Sequence, residues 1–502
     1  MTLFILVIYI IGWYIGIYGM FKKAGIASWK AFIPFYNTWF IVEKCNISKV
    51  WFWLQLIPIA GQFITIWITI IFVMHFGRFD LFHHTLAVFV PFFYLPYLGF
   101  SKTEKWGGEA VVKKYKKTAY REWIDAGVFA IVAATLIRTF VFEAYVIPSA
   151  SMEKTLLIND FLFVSKMSYG PRIPITPLSF PFVHNTLPFS KFTPSYIKAV
   201  QLPYKRLPGF VDIKRNDVVV FNFPAGDTII NEDGYLSARP YYDELRMAYN
   251  GNRDKLFAEH DILVHPFDKT DNYIKRCTAV SGDEVQVKNS VLFINSKPAF
   301  VPPGSQTEYT VTTNGTSFSD DFLKSELNID VEDTKGAIRA VENVHGAYVM
   351  NMTAEESVLI KKQPNVKSVE RYIDSSRGSA FPYDDVNYPW STDNYGPLKI
   401  PKKGEVLTIT QKTIPIYRRL ITVYEGNTLD ESNGKFIING KETTTYITKY
   451  NYYWMMGDNR HRSQDSRFWG FVPEPYVVGK ASLIWFSWNN GPRWKRLFSA
   501  IK

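Results

Sequence analysis

Four long apolar runs, nearly free of charge and bounded by lysine-rich loops, fill the first 142 residues and restrict this part of the chain to a membrane or a wholly buried core. The first, residues 3 to 20, is about as long as a helix that crosses a hydrocarbon layer of roughly 30 Å. A cleavable leader has a basic stretch before its apolar run and a small-residue cleavage site after it. Here Phe21-Lys22-Lys23 follows directly, which predicts a retained anchor. The other runs are 51 to 76, 81 to 100 and 126 to 142. The third carries His83, His84, Pro91 and Pro96, and the fourth carries Arg138.

Basic residues orient the set. The loop after the first run holds Lys22, Lys23, Lys30, Lys44 and Lys49. The loop before the fourth holds Lys102, Lys105, Lys113, Lys114, Lys116, Lys117 and Arg121. The positive-inside rule predicts both to be cytoplasmic, with the turn Gly77-Arg78-Phe79-Asp80 outside and everything after Phe142 extracytoplasmic. Four crossings satisfy every loop, and the sidedness hangs on the third run. Net charge is +11. Because many of the lysines flank apolar segments, this excess points to an anionic membrane surface rather than nucleic acid. The two cysteines, Cys45 and Cys277, fall on opposite sides of the membrane in this topology, which excludes a disulfide between them and a cysteine metal site.

After residue 147 the pattern changes to short β-rich runs separated by turns. Residues 161 to 164, 218 to 221, 273 to 280, 285 to 287 and 291 to 294 read as strands, and Asn439-Gly440 closes a hairpin. Thr353-Ala354-Glu355-Glu356 reads as a capping box opening a helix that Pro364 stops. The fold class expected is N-terminal transmembrane helices followed by a mainly β extracytoplasmic catalytic domain with an inserted α+β subdomain. The boundaries are 1–122 for three spans, 123–147 for the fourth, 148–295 and 401–502 for the two parts of the β domain, and 296–400 for the insertion. The stretches 172 to 208 and 381 to 401 read as long loops laid over the sheet.

Three stretches carry the chemistry: Pro148-Ser149-Ala150-Ser151-Met152; Tyr273-Ile274-Lys275-Arg276; and Gly457-Asp458-Asn459-Arg460 running on through Ser463, Asp465, Ser466 and Arg467. A serine hydroxyl is a poor nucleophile until a base takes its proton. Read alone, a Lys-Arg pair in a strand is a solvent-exposed charge. Strand alternation puts Lys275 and Cys277 on one face, with Ile274 and Arg276 on the other. Together the three stretches, with 214 to 221, resemble type I signal peptidase, the membrane-bound serine–lysine protease family. The likeness covers about 150 to 170, 212 to 227, 270 to 285 and 453 to 486, with Ala150 in place of the usual glycine, Lys154 where proline is general and Arg462 where asparagine is common.

The resemblance implies Ser151 as nucleophile and Lys275 as general base. It implies an oxyanion site made by the Ser149 hydroxyl and the Ser151 N–H, and a Ser463 hydroxyl that orients the lysine. Asp458, Asp465, Arg467 and Arg276 would form supporting ion pairs. It implies no cofactor and no metal. The substrates implied are signal peptides of exported pre-proteins, cut after a small residue at an Ala-x-Ala-like site. The location implied is the bacterial cytoplasmic (inner) membrane, multi-pass, against the lipid bilayer and without nucleic acid. Two decoys compete within the motifs. Ser151-x-x-Lys154 matches the pattern of penicillin-binding proteins, although Lys-Thr-Gly is absent, and His461 lies beside Asp458 and Asp465 as in a Ser-His-Asp protease. A protease dedicated to one exported substrate and a non-catalytic membrane-anchored scaffold are the alternative functions. Trp494, Leu497, Phe498 and Ile501 fall on one face if the C-terminus is helical, which suits either a membrane contact or a packed helix.

Overall fold

The computed structural model of the chain describes residues 2–57, 60–116, 118–188, 190, 193–224, 228–232, 234–235, 239–327, 329, 337–341, 344–432 and 434–501. Pro58, Ile59 and Lys117, and positions 328, 330–336 and 342–343 of the expected insertion, lie outside the described residues. The chain forms two compact units, residues 1–139 with 173–204, and residues 140–172 with 205–502.

The first unit is helical: α1 Thr2–Ala24, α2 Tyr36–Lys44, α3 Val50–Gln55, α4 Ala60–Met74, α5 Leu81–Phe89, α6 Pro91–Phe100, α7 Gly108–Lys114 and α8 Ala119–Phe140. Helix α1 lies against α6 along a seam of small residues. A Cβ on Gly12, Gly16 or Gly19 would sit 2.4 to 2.8 Å from Phe92, Leu95 or Gly99. Such close backbone approach is a usual way for helices to pack in lipid, where apolar burial by itself gives little drive. The second apolar run is divided into α3 and α4. The third is bent by 117° between α5 and α6. Pro91 is the cause: it drives Val90 out of helical geometry (φ −131°, ψ 43°) and then starts a new helix at its first position. Among the described residues Glu122–Phe140 is long and apolar enough to cross a bilayer, and the bent pair is a second candidate if it counts as one span.

The ends of that bent pair meet. Arg78, before α5, is ion-paired with Glu104, after α6, with Nε 3.0 Å from Oε2. The N–H groups of Gly107 and Gly108 donate to His75 O, and Phe79 stacks on Tyr115 with centroids 4.2 Å apart. The Lys23 ammonium at the end of α1 donates to Leu98 O and Ser101 O, 2.6 Å each. The turn at 77–80 and the loop after residue 100 therefore lie at one end of this bundle, not at opposite ends as the four-crossing reading requires. Residues 173–204, expected as a loop over the sheet, belong to this helical unit, where Gln62 Nε2 donates to Ser179 O.

In the second unit the strands are β1 Phe142–Val146, β2 Asp160–Ser165, β3 Val218–Asn222, β4 Thr228–Ile230, β5 Ile262–Val264 and β6 Asn272–Ala279, followed by later strands named by range. The main sheet runs β1, β2, Val477–Ser487, β3, β6, Tyr452–Met456, Val472–Pro473, and all of these pairings are antiparallel. One face buries Val219, Phe221, Cys277, Ala279 and Trp454 against a second sheet built on Glu284–Lys288 and Val291–Ile294. The other face buries Ile147, Met152, Leu156, Val218 and Val220. The hairpin Lys435–Ile438 to Lys441–Glu442 turns at Asn439-Gly440, where both residues take positive φ.

The insertion is narrower than 296–400. Its four-stranded antiparallel sheet comprises Gln306–Thr313, Ile338–Ala340, Ala347–Thr353 and Val366–Arg371, with its own core of Val311, Leu323, Met350, Met352 and Ile360. Tyr395–Lys399 instead pairs with Glu284–Lys288. The capping box of Thr353 and Glu356 opens the helix Ala354–Lys361, with both reciprocal bonds formed. At the C-terminus, Trp494–Arg496 is a single 3₁₀ turn and Ser499–Ala500 pairs with Val477–Ser487, so the helical face drawn from the sequence is not formed. Ile501 packs on the core while Trp494 and Phe498 stay exposed.

Candidate active site

The Ser149–Ser151 turn is pinned from both sides by its own sequence. Ile147 N–H donates to Asp160 O, and Met152 and Leu156 are sunk without exposure into the sheet. Asn459 closes the turn over Ser151: its N–H donates to Ser151 O (3.1 Å) and its side-chain amide to Ala150 O (3.0 Å). The family resemblance implies no task for Asn459, although it stands within the Gly457-Asp458-Asn459 block.

β6 supplies the partner. Its register against β3 pairs Val219 with Lys275 and Val218 with Arg276. Asn216 N–H to Cys277 O and Cys277 N–H to Asp217 O secure the end of that ladder. Lys275 Nζ lies 2.7 Å from Ser151 Oγ, across 124 residues of sequence. It is also 3.0 Å from Ile274 O and 5.3 Å from the centre of the Tyr273 ring. Lys275 is 3 % exposed. Burial pushes its pKa from 10.5 down to about 8, against the pull of the carboxylates of Asp465 and Asp458. Ser149 Oγ stands 3.5 Å from Ser151 Oγ.

Arg276, one residue along and on the opposite face, clamps Asp458 through two bonds of 2.8 and 2.6 Å, and donates to Asn216 O. Arg467 holds Asp465 likewise, Nε and Nη2 each at 2.9 Å, and reaches Arg460 O. Burial acts to raise the Asp465 carboxyl, but Arg467 and the Gly457 N–H hold it below the ordinary carboxylate range. All four side chains are at most 2 % exposed. Ser463 is buried next to Gly457, yet among the described residues its Oγ has no hydrogen-bond partner. The expected bond from Ser463 to Lys275 is not formed.

Both decoys are engaged elsewhere. Lys154 is ion-paired with Glu356 and donates to Leu327 O, rather than turning to Ser151 or lying solvated on the surface. His461 places Nε2 2.8 Å from Asp393, while its Nδ1 accepts from Glu308 N–H.

The buried lysine has a measurable cost. Holding an ammonium's pKa at about 8 instead of 10.5 costs about 3 kcal/mol, at about 1.36 kcal/mol per pH unit. The folded value lies below the unfolded one. The penalty is therefore complete below pH about 8, shrinks as pH rises towards 10.5, and is absent above it. Lys275→Met is expected to be more stable than wild type at pH 7 by up to that amount, with the gap closing above pH 10.5. Urea midpoints at pH 7 and pH 11 check this.

The family model described as "Signal peptidase, peptidase S26" matches residues 120–357 and 399–488, and a family of unknown function (DUF5684) matches 29–109. "Signal peptidase I" of Haemophilus influenzae is 27% identical over 385 residues, covering 75% of each chain. The protein of that name from Buchnera aphidicola subsp. Schizaphis graminum is 24% identical over 376 residues, covering 72% of this chain and 76% of its own. That of Helicobacter pylori is 22% identical over 404 residues, covering 77% of this chain and 95% of its own. The peptidase match takes in well over half of the chain, including all three motif stretches, and the chain belongs to the signal peptidase, peptidase S26, family.

Proposed function

We propose that this protein is a membrane-bound serine endopeptidase that removes signal peptides from exported pre-proteins, with Ser151 as nucleophile and neutral Lys275 as general base. The observation that carries the reading is the 2.7 Å approach of Lys275 Nζ to Ser151 Oγ in a buried site. With its pKa near 8, about one lysine in ten is neutral at pH 7, against about one in three thousand at 10.5. The neutral amine accepts the Ser151 proton as Oγ attacks the scissile carbonyl. The Ser149 hydroxyl and Ser151 N–H face the developing oxyanion, where one such donor is worth about 3 kcal/mol. Collapse passes the proton from Lys275 to the leaving amine and leaves an ester on Ser151. Water, deprotonated by the same amine, then releases the signal peptide.

The membrane reading is simplified by the bundle. With 77–80 and 101–115 at one end, α1 and α8 are the two crossings, and the segments between them dip in and return. The basic loops stay cytoplasmic, and the peptidase unit still emerges outside. Ser151 follows Phe140 by eleven residues, which holds it within roughly 40 Å of the helix end at about 3.6 Å per residue. A cleavage site lying just beyond a membrane-held apolar core is within that reach. Exposed Phe142, Trp488, Trp494 and Phe498, with Arg493 and Lys495, suit contact with an anionic lipid surface.

The test is cleavage of a pre-protein carrying an Ala-x-Ala site by the full chain in detergent with lipid. A single cut after the last small residue is expected, with an acid-trapped acyl-enzyme mapping to Ser151. A folded, lipid-supplied enzyme that leaves the pre-protein intact would sink the reading.

A further inference from the structure

The inserted sheet grips both of the loops that meet at Ser151. On one side, the nucleophile turn continues from Ser151 to Lys154, whose backbone has φ +65°, a region that an L side chain enters only at a cost. The Lys154 ammonium leaves the turn and enters the insertion. There it is ion-paired with Glu356 and donates to Leu327 O at 3.0 Å. Side-chain exposure is 14% for Lys154 and 12% for Glu356, so water screens the pair little. Glu356 is fixed in turn, because its second oxygen accepts Thr353 N–H at 2.8 Å as the closing half of the capping box.

On the other side, the loop that carries Asp458 and Asn459 is held by the first strand of the same insertion. Gln306 N–H and Ser305 Oγ both donate to Asp458 O, at 2.8 and 3.1 Å. His461 Nδ1 accepts Glu308 N–H. The two grips close a ring, because Thr155, next to Lys154, donates its hydroxyl to Asp458 Oδ2 at 2.7 Å. Asp458 is also the carboxylate clamped by Arg276, the neighbour of Lys275 on β6.

We propose that Lys154 and Glu356 are positioning residues, and that their ion pair makes the inserted subdomain a brace setting the Ser151 turn against Lys275. This rests on the serine–lysine reading above. A surface-like role would predict no effect on turnover. A brace predicts that losing the pair lets the turn relax out of its left-handed backbone and lengthens the Ser151–Lys275 approach. Chemistry then slows while substrate binding is kept.

The test is steady-state cleavage of an Ala-x-Ala pre-protein by the full chain in detergent, with thermal unfolding recorded for every variant. Glu356→Gln keeps one acceptor oxygen for the capping box, since Gln serves at that position, and replaces the charged oxygen that faces Lys154 by an uncharged amide NH2. Glu356→Gln and Lys154→Met are each expected to lower kcat about 10- to 50-fold with KM within twofold. The double variant should fall no further than the worse single, and Lys154→Arg should recover kcat to within about threefold of wild type. If both single variants turn over within twofold of wild type while Ser151→Ala and Lys275→Ala are silent, the brace is wrong and the dyad stands. If Ser151→Ala and Lys275→Ala cleave like wild type, the dyad reading fails first. A loss of kcat that comes with loss of the folding transition and is not recovered by Lys154→Arg also overturns the brace.

Discussion

Ser151→Ala and Lys275→Ala are each expected to lower kcat for pre-protein cleavage by about 10⁴- to 10⁶-fold at pH 7, the scale on which members of a nucleophile–base unit fail when one is removed. Neither loss should be recovered by raising the pH, because alanine supplies no titratable group. Lys275→Arg should be as inactive, since a guanidinium stays charged throughout the accessible range and cannot take the Ser151 proton. In wild type, log kcat/KM should climb with unit slope up to pH about 8 and level off above it, as the buried amine loses its proton. A profile flat from pH 6 to pH 9 would remove Lys275 from the role of base, even if its substitution proved damaging.

Asp465→Asn is expected to cost about 3–5 kcal/mol of folding stability, the range for breaking one partner of a buried ion pair. The amide keeps the shape of the carboxylate but leaves the Arg467 guanidinium, 2 % exposed, with no charge to answer it. The pH dependence has a definite sign. The Asp465 carboxyl is held low in the folded state, so its contribution is present at neutral pH. That contribution is lost as pH falls through the folded value. Urea midpoints of wild type and Asp465→Asn should differ most near pH 7 and converge in acid. Equal midpoints at pH 7 would show that the pair is replaceable.

What could be read from the sequence was local or carried by a motif. The strand at 218–221, the Asn439-Gly440 hairpin and the Thr353–Glu356 capping box each depend on a few adjacent residues, and each is formed. Ser151 and Lys275 are 124 residues apart, and no periodicity joins them. Their adjacency was legible only because three short motifs matched one family. The contacts of Lys154 with Glu356 and of His461 with Asp393 were out of reach, because nothing near any of the four residues marks its partner. The third apolar run misled for a different reason. Hydropathy counts length and not direction, so a run folded back on itself at Val90 looks the same as one that continues across. The resemblance implies a Ser463–Lys275 bond, which the folded loop does not make.

The pairing of β3 with β6 has a consequence for how the site can vary. Side chains on a strand alternate, so Lys275 and Arg276 occupy two opposite compartments separated by one peptide plane. On the proposed mechanism one compartment requires a cation that can shed its charge, and the other a cation that never does. Sliding β6 by a single residue spoils both at once: one way it presents Arg276 to Ser151 and Cys277 to Asp458, the other way Ile274 to Ser151 and Lys275 to Asp458. The native register thus has no partly working neighbour on either side. The ladder from Val218 to Asn222, latched at Asn216 and Cys277, is what keeps β6 in that register. Changes of strand length in this region should accordingly be refused, as should changes of side-chain size along β3, which is buried on both faces.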